Sequence, residues 1–277
     1  MIYSLFYDFC LIIIRFLGLF VPKIKEFLKT RDRISNDIRD FNNSKNNFVI
    51  WVHCSSLGEF EQIKPLLKKI KKSKPISEFV ITFFSESGFS SAKNFQDARI
   101  ITYLPFDRKK DLNQFIYRIK PKILLLVKNE FWPNLIRYVH KADVKIFSIS
   151  SNFRRKQIFF SSFSFGMSSI LNLIDYFFVV NNNDKLLLES IKITNVKVTG
   201  DTRFDRVLEN SNNYINDRKI RKVLKNSNNF VIGSSWIEDN KILLSSCDNN
   251  TPLKWIIAPH KIDSESISSL EKLIPID

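Results

Sequence analysis

The chain has 277 residues, 44% hydrophobic and 26% charged, the proportions of a soluble globular protein with room for one large or two modest domains. Its three cysteines, Cys10, Cys54 and Cys247, stand far apart with no CxxC, which argues against a disulfide scaffold and fits a reducing cytosol. The 43 Lys and Arg against 28 Asp and Glu leave +15, which favours anionic partners; chain-wide use of Lys, Asn, Ile and Phe is the competing, compositional source.

Residues 1–21, "MIYSLFYDFCLIIIRFLGLFV", are mostly apolar and about as long as a bilayer-spanning helix. Asp8 and Arg15 interrupt the run, each costly at a bilayer centre. No small-residue cleavage site follows, and the next block, "PKIKEFLKTRDR", carries the basic charge favoured on the cytoplasmic side. We read a membrane anchor helix, spanning or lying in the interface, with the rest of the chain cytoplasmic. A buried first helix of the domain is the alternative.

A polar stretch at 35–47 precedes a regular pattern. Strand-like runs stand at 48–52, 78–84, 98–104, 122–127, 144–150, 176–180 and 196–200, mostly continuous apolar stretches such as "KILLLV", as in strands buried on both faces. Helical patterns fill several gaps: Ile63, Leu66, Leu67 and Ile70 share one helix face, "DLNQFIYRI" behaves similarly, and "NDKLLLESI" follows an Asn-rich cap. This alternation predicts an α/β fold, a doubly wound parallel sheet over residues 22–210. Residues 211–227 read as a charged connector, and 228–277 as the start of a second unit with two strands and two helices, too few to bury a core alone.

Ligands of open α/β sheets bind beyond the carboxyl ends of the strands. Those positions carry "HCSSLGE", "SESG", "PFD", "KNEFWPN", "SNFRRKQ" and "GDTRFD", then "GSSWIED" and "PHK" in the second unit. Glu59, at a helix start, is a candidate base and equally a capping carboxylate. Gly58 before it would let the backbone turn tightly. His53 reads as a strand-end residue satisfied by backbone groups. Glu130 stands between a buried strand and an aromatic–Pro turn; pairing with Lys128 or an Arg is its bland alternative. Arg203 could meet an anion, held by Asp201 and Asp205, or simply form a local salt bridge. Arg154 and Arg155 form a basic knot suited to lipid phosphates, or a solvated turn. Ser234 and Ser235 could offer a phosphate-binding loop. There is no GxGxxG, GxxxxGK[ST] or GxSxG, and His53, His140 and His260 lack zinc spacing.

Eight blocks in order, "WVHCSSLGEFEQIKPLLKKIK", "ITFFSESG", "YLPFD", "KNEFWPN", "FRRKQIFF", "GDTRFDRV", "GSSWIEDN" and "IIAPH", resemble the 3-deoxy-D-manno-octulosonic acid (Kdo) transferases, with the closest likeness to Bacteroidetes-type versions. The resemblance implies a GT-B architecture of two Rossmann-like domains, with acceptor binding in the first and CMP-Kdo binding in the second. It implies an inverting glycosyltransferase that moves Kdo from CMP-Kdo to the 6′-hydroxyl of the lipid A precursor (lipid IVA), at the cytoplasmic face of the inner membrane. No cofactor or protein-held metal is implied. Glu59 matches the general base, Glu130 and Arg203 the transition-state stabilisers, and Ser56, Gly58, Arg154 and Arg155 fall on the acceptor side. Ser234, Ser235, Pro259 and His260 fall on the donor side, with His260 where the family carries Arg. The family's later donor-domain segments are missing, so the second domain is expected to be truncated. Two rivals remain: a remnant that binds lipid A or anionic membrane without transfer, and a nucleic-acid module, which the lack of any recognised motif disfavours.

Overall fold

The computed structural model describes residues 2–39, 41, 47–161, 167–212, 221–222, 224–225, 228–246 and 253–274. Most of the expected connector, part of the polar stretch and Cys247 lie outside them. The chain divides into two compact units, Met1–Asn212 and Asn213–Asp277.

All seven apolar runs of the first unit are strands: β1 Phe48–Cys54, β2 Ser77–Phe83, β3 Ala98–Tyr103, β4 Ile123–Val127, β5 Lys145–Ser151, β6 Tyr176–Val179 and β7 Val196–Val198. They form one parallel sheet in the order β3-β2-β1-β4-β5-β6-β7. Burial on both faces explains the lack of alternation. Val49, Trp51, Leu124, Leu126, Ile146 and Phe177 fill one side, while Ile50, Val52, Phe79, Ile81 and Val127 fill the other. Each such side chain contributes roughly 1.5–3 kcal/mol when fully buried. The one polar atom of Trp51 is satisfied inside, its Nε1 donating to Thr82 Oγ1 at 2.9 Å.

Helices α1 Ile2–Leu17, α2 Pro22–Asp32 and α3 Ile34–Asp37 precede the sheet; α4 Leu57–Ser73, α5 Glu86–Ala92, α6 Lys109–Ile119, α7 Pro133–Lys141, α8 Met167–Leu171, α9 Asn182–Ser190 and α10 Arg203–Asn212 connect or follow its strands. Two stretches expected as loops start helices instead. Ser85 of "SESG" caps α5, accepting from the Gly88 amide at 3.3 Å, and Arg203 opens α10. Gly88 is required by packing, since a Cβ there would sit 2.5 Å from the Phe83 ring.

No helix among the described residues is long and apolar enough to cross a membrane. The spanning form of the expected anchor is therefore unsupported: α1 has 16 residues, about 24 Å at helical rise, short of the roughly 30 Å hydrocarbon core. It is instead tied to the sheet unit. Tyr3 donates to Asp107 Oδ2 at 2.8 Å, the Asp107 amide donates to the Tyr7 hydroxyl at 3.1 Å, and Ser4 donates to Asn134 at 2.9 Å. Asp107 also accepts from the Asn134 and Leu135 amides at 3.1 and 2.7 Å, satisfying orphan donors at the start of α7. The "PFD" block thus joins α1 to α7. The other face of α1 is apolar and exposed, with Leu5, Phe6, Phe9, Ile12 and Phe16 each at least 60% accessible.

The second unit pairs β8 Asn228–Ser235 with β9 Leu253–Pro259 in parallel, with α11 Ile237–Ser245 and α12 Ser264–Glu271 following them. Among its described hydrophobic residues only Ile232 and Leu270 are buried, while Phe230, Val231 and Leu253 on the strands are exposed. Among the described residues these two strands form a sheet by themselves, with no further strand beside them.

Candidate active site

Strand order reverses between β1 and β4: from β1 the chain runs outward through β2 and β3, then returns to β4 on the other side. Loops after adjacent strands diverge at such a point and leave a crevice. Glu59 follows β1 and Glu130 follows β4, and both line a cavity of about 580 Å³ with Lys128, Asn129, Ser150, Asn152, Arg154, Gln157, Asp201 and Arg203.

Glu59 is the third residue of α4, behind the N-cap Ser56. Its Oε2 accepts from the Ser55 amide and, at 3.3 Å, from the Ser56 amide. The capping reading is therefore correct as far as it goes. Oε1 accepts no hydrogen bond from the described residues, so one oxygen remains for a ligand. Burial pushes the Glu59 carboxyl above its ordinary value, the Glu130 charge adds to this, and the Ser55 amide, His53 and Lys128 partly oppose it. Gly58 does not make the expected tight turn: its φ is ordinary, and a Cβ there would meet only Ser56 Oγ at 3.9 Å.

Glu130 has the opposite balance. Burial raises it, but the His53 ring and the Trp132 indole N–H outweigh that and leave it below the usual carboxylate range. Trp132 Nε1 donates to Glu130 Oε2 at 3.0 Å. His53 Nε2 lies 3.7 Å from the same oxygen, beyond hydrogen-bond length, so its influence is electrostatic. His53 is fully buried, its Nδ1 3.1 Å from both the carbonyl and hydroxyl oxygens of Thr82. Backbone satisfaction holds for Nδ1, whereas Nε2 has no hydrogen-bond partner and faces Glu130. The expected bland partners of Glu130, Lys128 or an Arg, are not its partners.

Arg203 makes the local salt bridge: its Nε and Nη2 reach Asp201 Oδ2 at 2.8 and 2.6 Å, and its amide donates to Oδ1 at 2.9 Å. Asp205 takes no part and lies 3.5 Å from Lys69. Burial raises the Asp201 carboxyl, but the Arg203 hydrogen bonds override it and hold it low. Arg154 lines the cavity, whereas Arg155 is exposed and does not; Ser56 also stays outside it as the helix cap.

Sequence reasoning missed the scaffold beneath these groups. Lys128 and Ser150 have left-handed backbones, φ 60° and 53°, at the ends of adjacent strands, and Ser150 sits at a register shift in β5. Ser150 Oγ contacts Thr202 Oγ1 at 2.9 Å and accepts from the Thr202 amide at 3.2 Å, tying the Asp201–Arg203 loop to β5. Asn129 Nδ2 donates to the Asn152 carbonyl at 2.6 Å, and the Asn152 amide returns to Asn129 Oδ1 at 3.2 Å. Buried Asp184 accepts from the Phe153 amide at 2.6 Å and the Asn181 amide at 3.1 Å, fixing the β5 loop on α9. Asp184→Ala leaves these buried donors unpaired and is expected to cost about 2–3 kcal/mol, read as a lower urea midpoint at unchanged slope. Only the small polar residues after β4 and β5 hinted at this, and such residues are ordinary in any loop.

In the second unit Ser234 Oγ lies 2.8 Å from His260 Nδ1, and the His260 ring stacks on Trp236 at 4.4 Å. Ser235 and Pro259 line a separate cavity of about 510 Å³, where the buried Ser235 hydroxyl has no partner.

A family model described as 3-deoxy-D-manno-octulosonic-acid transferase (kdotransferase) matches residues 25–206, two thirds of the chain. The chain belongs to the Kdo transferase family. A bifunctional glycosyltransferase/methyltransferase of Fusobacterium nucleatum is 31% identical over 276 residues, covering 93% of this chain and 41% of that protein. The 3-deoxy-D-manno-octulosonic acid transferase of Aquifex aeolicus is 36% identical over 89 residues, 32% of this chain and 24% of that one. This family member thus spans less than half the length of these relatives. In fold it resembles the S. aureus MnaA–UDP structure (TM-score 0.59, 16% identity, 82% of this chain and 66% of that one). It equally resembles the UDP-GlcNAc 2-epimerase of Neisseria meningitidis bound to UDP-GlcNAc (TM-score 0.59, 13% identity, 81% and 68%).

Proposed function

We propose that this Kdo transferase family chain is the acceptor-binding part, and the beginning of the donor-binding part, of a GT-B enzyme that moves Kdo from CMP-Kdo to a hydroxyl of the lipid A precursor. One observation carries the reading: two carboxylates flank the sheet's switch point in environments that push their proton affinities in opposite directions. Glu59, held high and with Oε1 free, takes the proton of the attacking hydroxyl as general base. The hydroxyl oxygen bonds to the anomeric carbon from the face opposite the nucleotide, the bond to CMP breaks, and the configuration inverts. Glu130, held low, stays ionised and faces the positive charge that develops on the sugar. Arg203, oriented by Asp201, keeps Nη1 for the departing phosphate. Neither a metal nor a cofactor enters these steps. Ser234, Ser235, Pro259 and His260 belong to the donor side. Incubating the full chain with CMP-Kdo and lipid IVA tests this by mass spectrometry: one added Kdo residue supports transfer, and unchanged lipid supports the non-catalytic remnant.

The same reading puts the chain on the cytoplasmic face of the inner membrane through α1 lying in the interface. Large exposed apolar patches of this kind mark interaction surfaces. Exposed Lys23, Lys25, Lys29 and Arg33 on and just after α2 supply charge for acidic headgroups. Phe9→Asp with Ile12→Asp is expected to abolish cosedimentation with phosphatidylglycerol-containing vesicles while leaving the unfolding midpoint unchanged, because both side chains face away from the domain.

A further inference from the structure

We propose that Lys128 takes hold of an anionic oxygen group of the substrate, a carboxylate or a phosphate, in the cavity between Glu59 and Asp201. The inference rests on that cavity being the substrate site, and it follows from accounting for the charged groups that line it. Glu59 is held by two backbone amides. Glu130 is held by the Trp132 indole N–H, with the His53 ring 3.7 Å away. Asp201 and Arg203 satisfy each other, so the Arg203 guanidinium spends two of its nitrogens on a carboxylate. Lys128, a half-buried residue, forms no side-chain ion pair or hydrogen bond with the described residues, although both Glu59 and Asp201 feel its charge. Arg154, exposed at the rim, adds a second positive charge.

The backbone makes the residue choice more telling. Lys128 sits at φ 60°, held there by its amide donating to the Ile149 carbonyl at 2.8 Å and its carbonyl accepting from the Ser148 and Ser151 hydroxyls at 3.1 and 3.4 Å. Glycine would adopt this turn without strain, and asparagine with little. A lysine here carries backbone strain, and its ammonium has no partner among the described residues to offset that strain. Strain and an unpaired charge at the centre of a polar cavity are accounted for by a ligand that supplies the missing oxygen atoms. A three-donor ammonium between two carboxylate-bearing loops suits a compact anion, and with Arg203 spending two of its nitrogens on Asp201, Lys128 is a lining cation with no carboxylate partner among the described residues.

The test is an NMR titration of the 15N-labelled full chain at low ionic strength, with inorganic phosphate in one arm and acetate in the other. The wild-type chain is expected to bind at least one of them, and the tighter arm identifies the source as phosphate or carboxylate. Lys128→Met and Lys128→Gly are expected to weaken that binding at least tenfold, whereas Lys128→Arg and Lys156→Gln, the latter exposed and outside the cavity lining, stay within threefold of wild type. Lys128→Gly should also unfold at the same or a higher temperature, because it relieves the left-handed backbone. Wild-type affinity in Lys128→Met, an equal loss in Lys156→Gln, or no binding of either anion to the wild type would overturn the proposal. Lys128-dependent anion binding by a chain that transfers no Kdo would leave this inference standing and remove the transferase reading. Transfer by a chain whose anion binding ignores Lys128 would do the reverse.

Discussion

Glu59→Gln is expected to cut Kdo transfer by about 10²–10⁴-fold while leaving the thermal midpoint unchanged. The separation is possible because the proposed base is also a helix cap. As a cap, its Oε2 accepts from the Ser55 and Ser56 amides, and a glutamine carbonyl oxygen does the same. As a base it must accept a proton, which an amide does not. Glu59→Ala removes both tasks and should lose about 1 kcal/mol of stability in addition to the activity. Full turnover by Glu59→Gln would remove the base assignment and leave only the cap.

Glu130→Gln should move the acid limb of the pH–rate profile to lower pH while lowering the plateau rate by about 10²-fold or more. Glu59 is raised first by burial and second by the Glu130 charge. A base works only when ionised, so rate is lost as pH falls through the raised Glu59 value. Removing the Glu130 charge removes the second cause, and Glu59 then stays ionised to lower pH. The plateau drops because the carboxylate facing the sugar's developing positive charge is gone. An unmoved limb, or one displaced upward, would mean the two carboxylates do not share a site.

The sheet was legible because a central strand buried on both faces must be largely apolar, and that is what runs such as "FVIWV" and "KILLLV" display. The helix cap at Ser56 and Glu59 was legible for a similarly local reason: the groups involved lie within four residues of one another. The choice between the spanning and interfacial forms of α1 was not legible, because hydropathy counts apolar residues without saying which face of the helix has a partner. Tyr3 and Tyr7 look like interruptions in an apolar run, and Asp107, a hundred residues on, turns them into a docking face.

The sequence by itself determined the parallel α/β sheet, the family, and the arrival of Glu59, Glu130 and Arg203 at strand ends, since each follows from local patterning or from ordered motifs. Only the tertiary structure decided how those groups divide their charges. Asp201 claims Arg203, His53 and Trp132 hold Glu130 low, Glu130 helps hold Glu59 high, and Lys128 is left without a partner in a strained turn. Proton affinity and charge pairing depend on burial and on distances of a few ångströms between residues far apart in the chain, and a linear pattern carries no record of either.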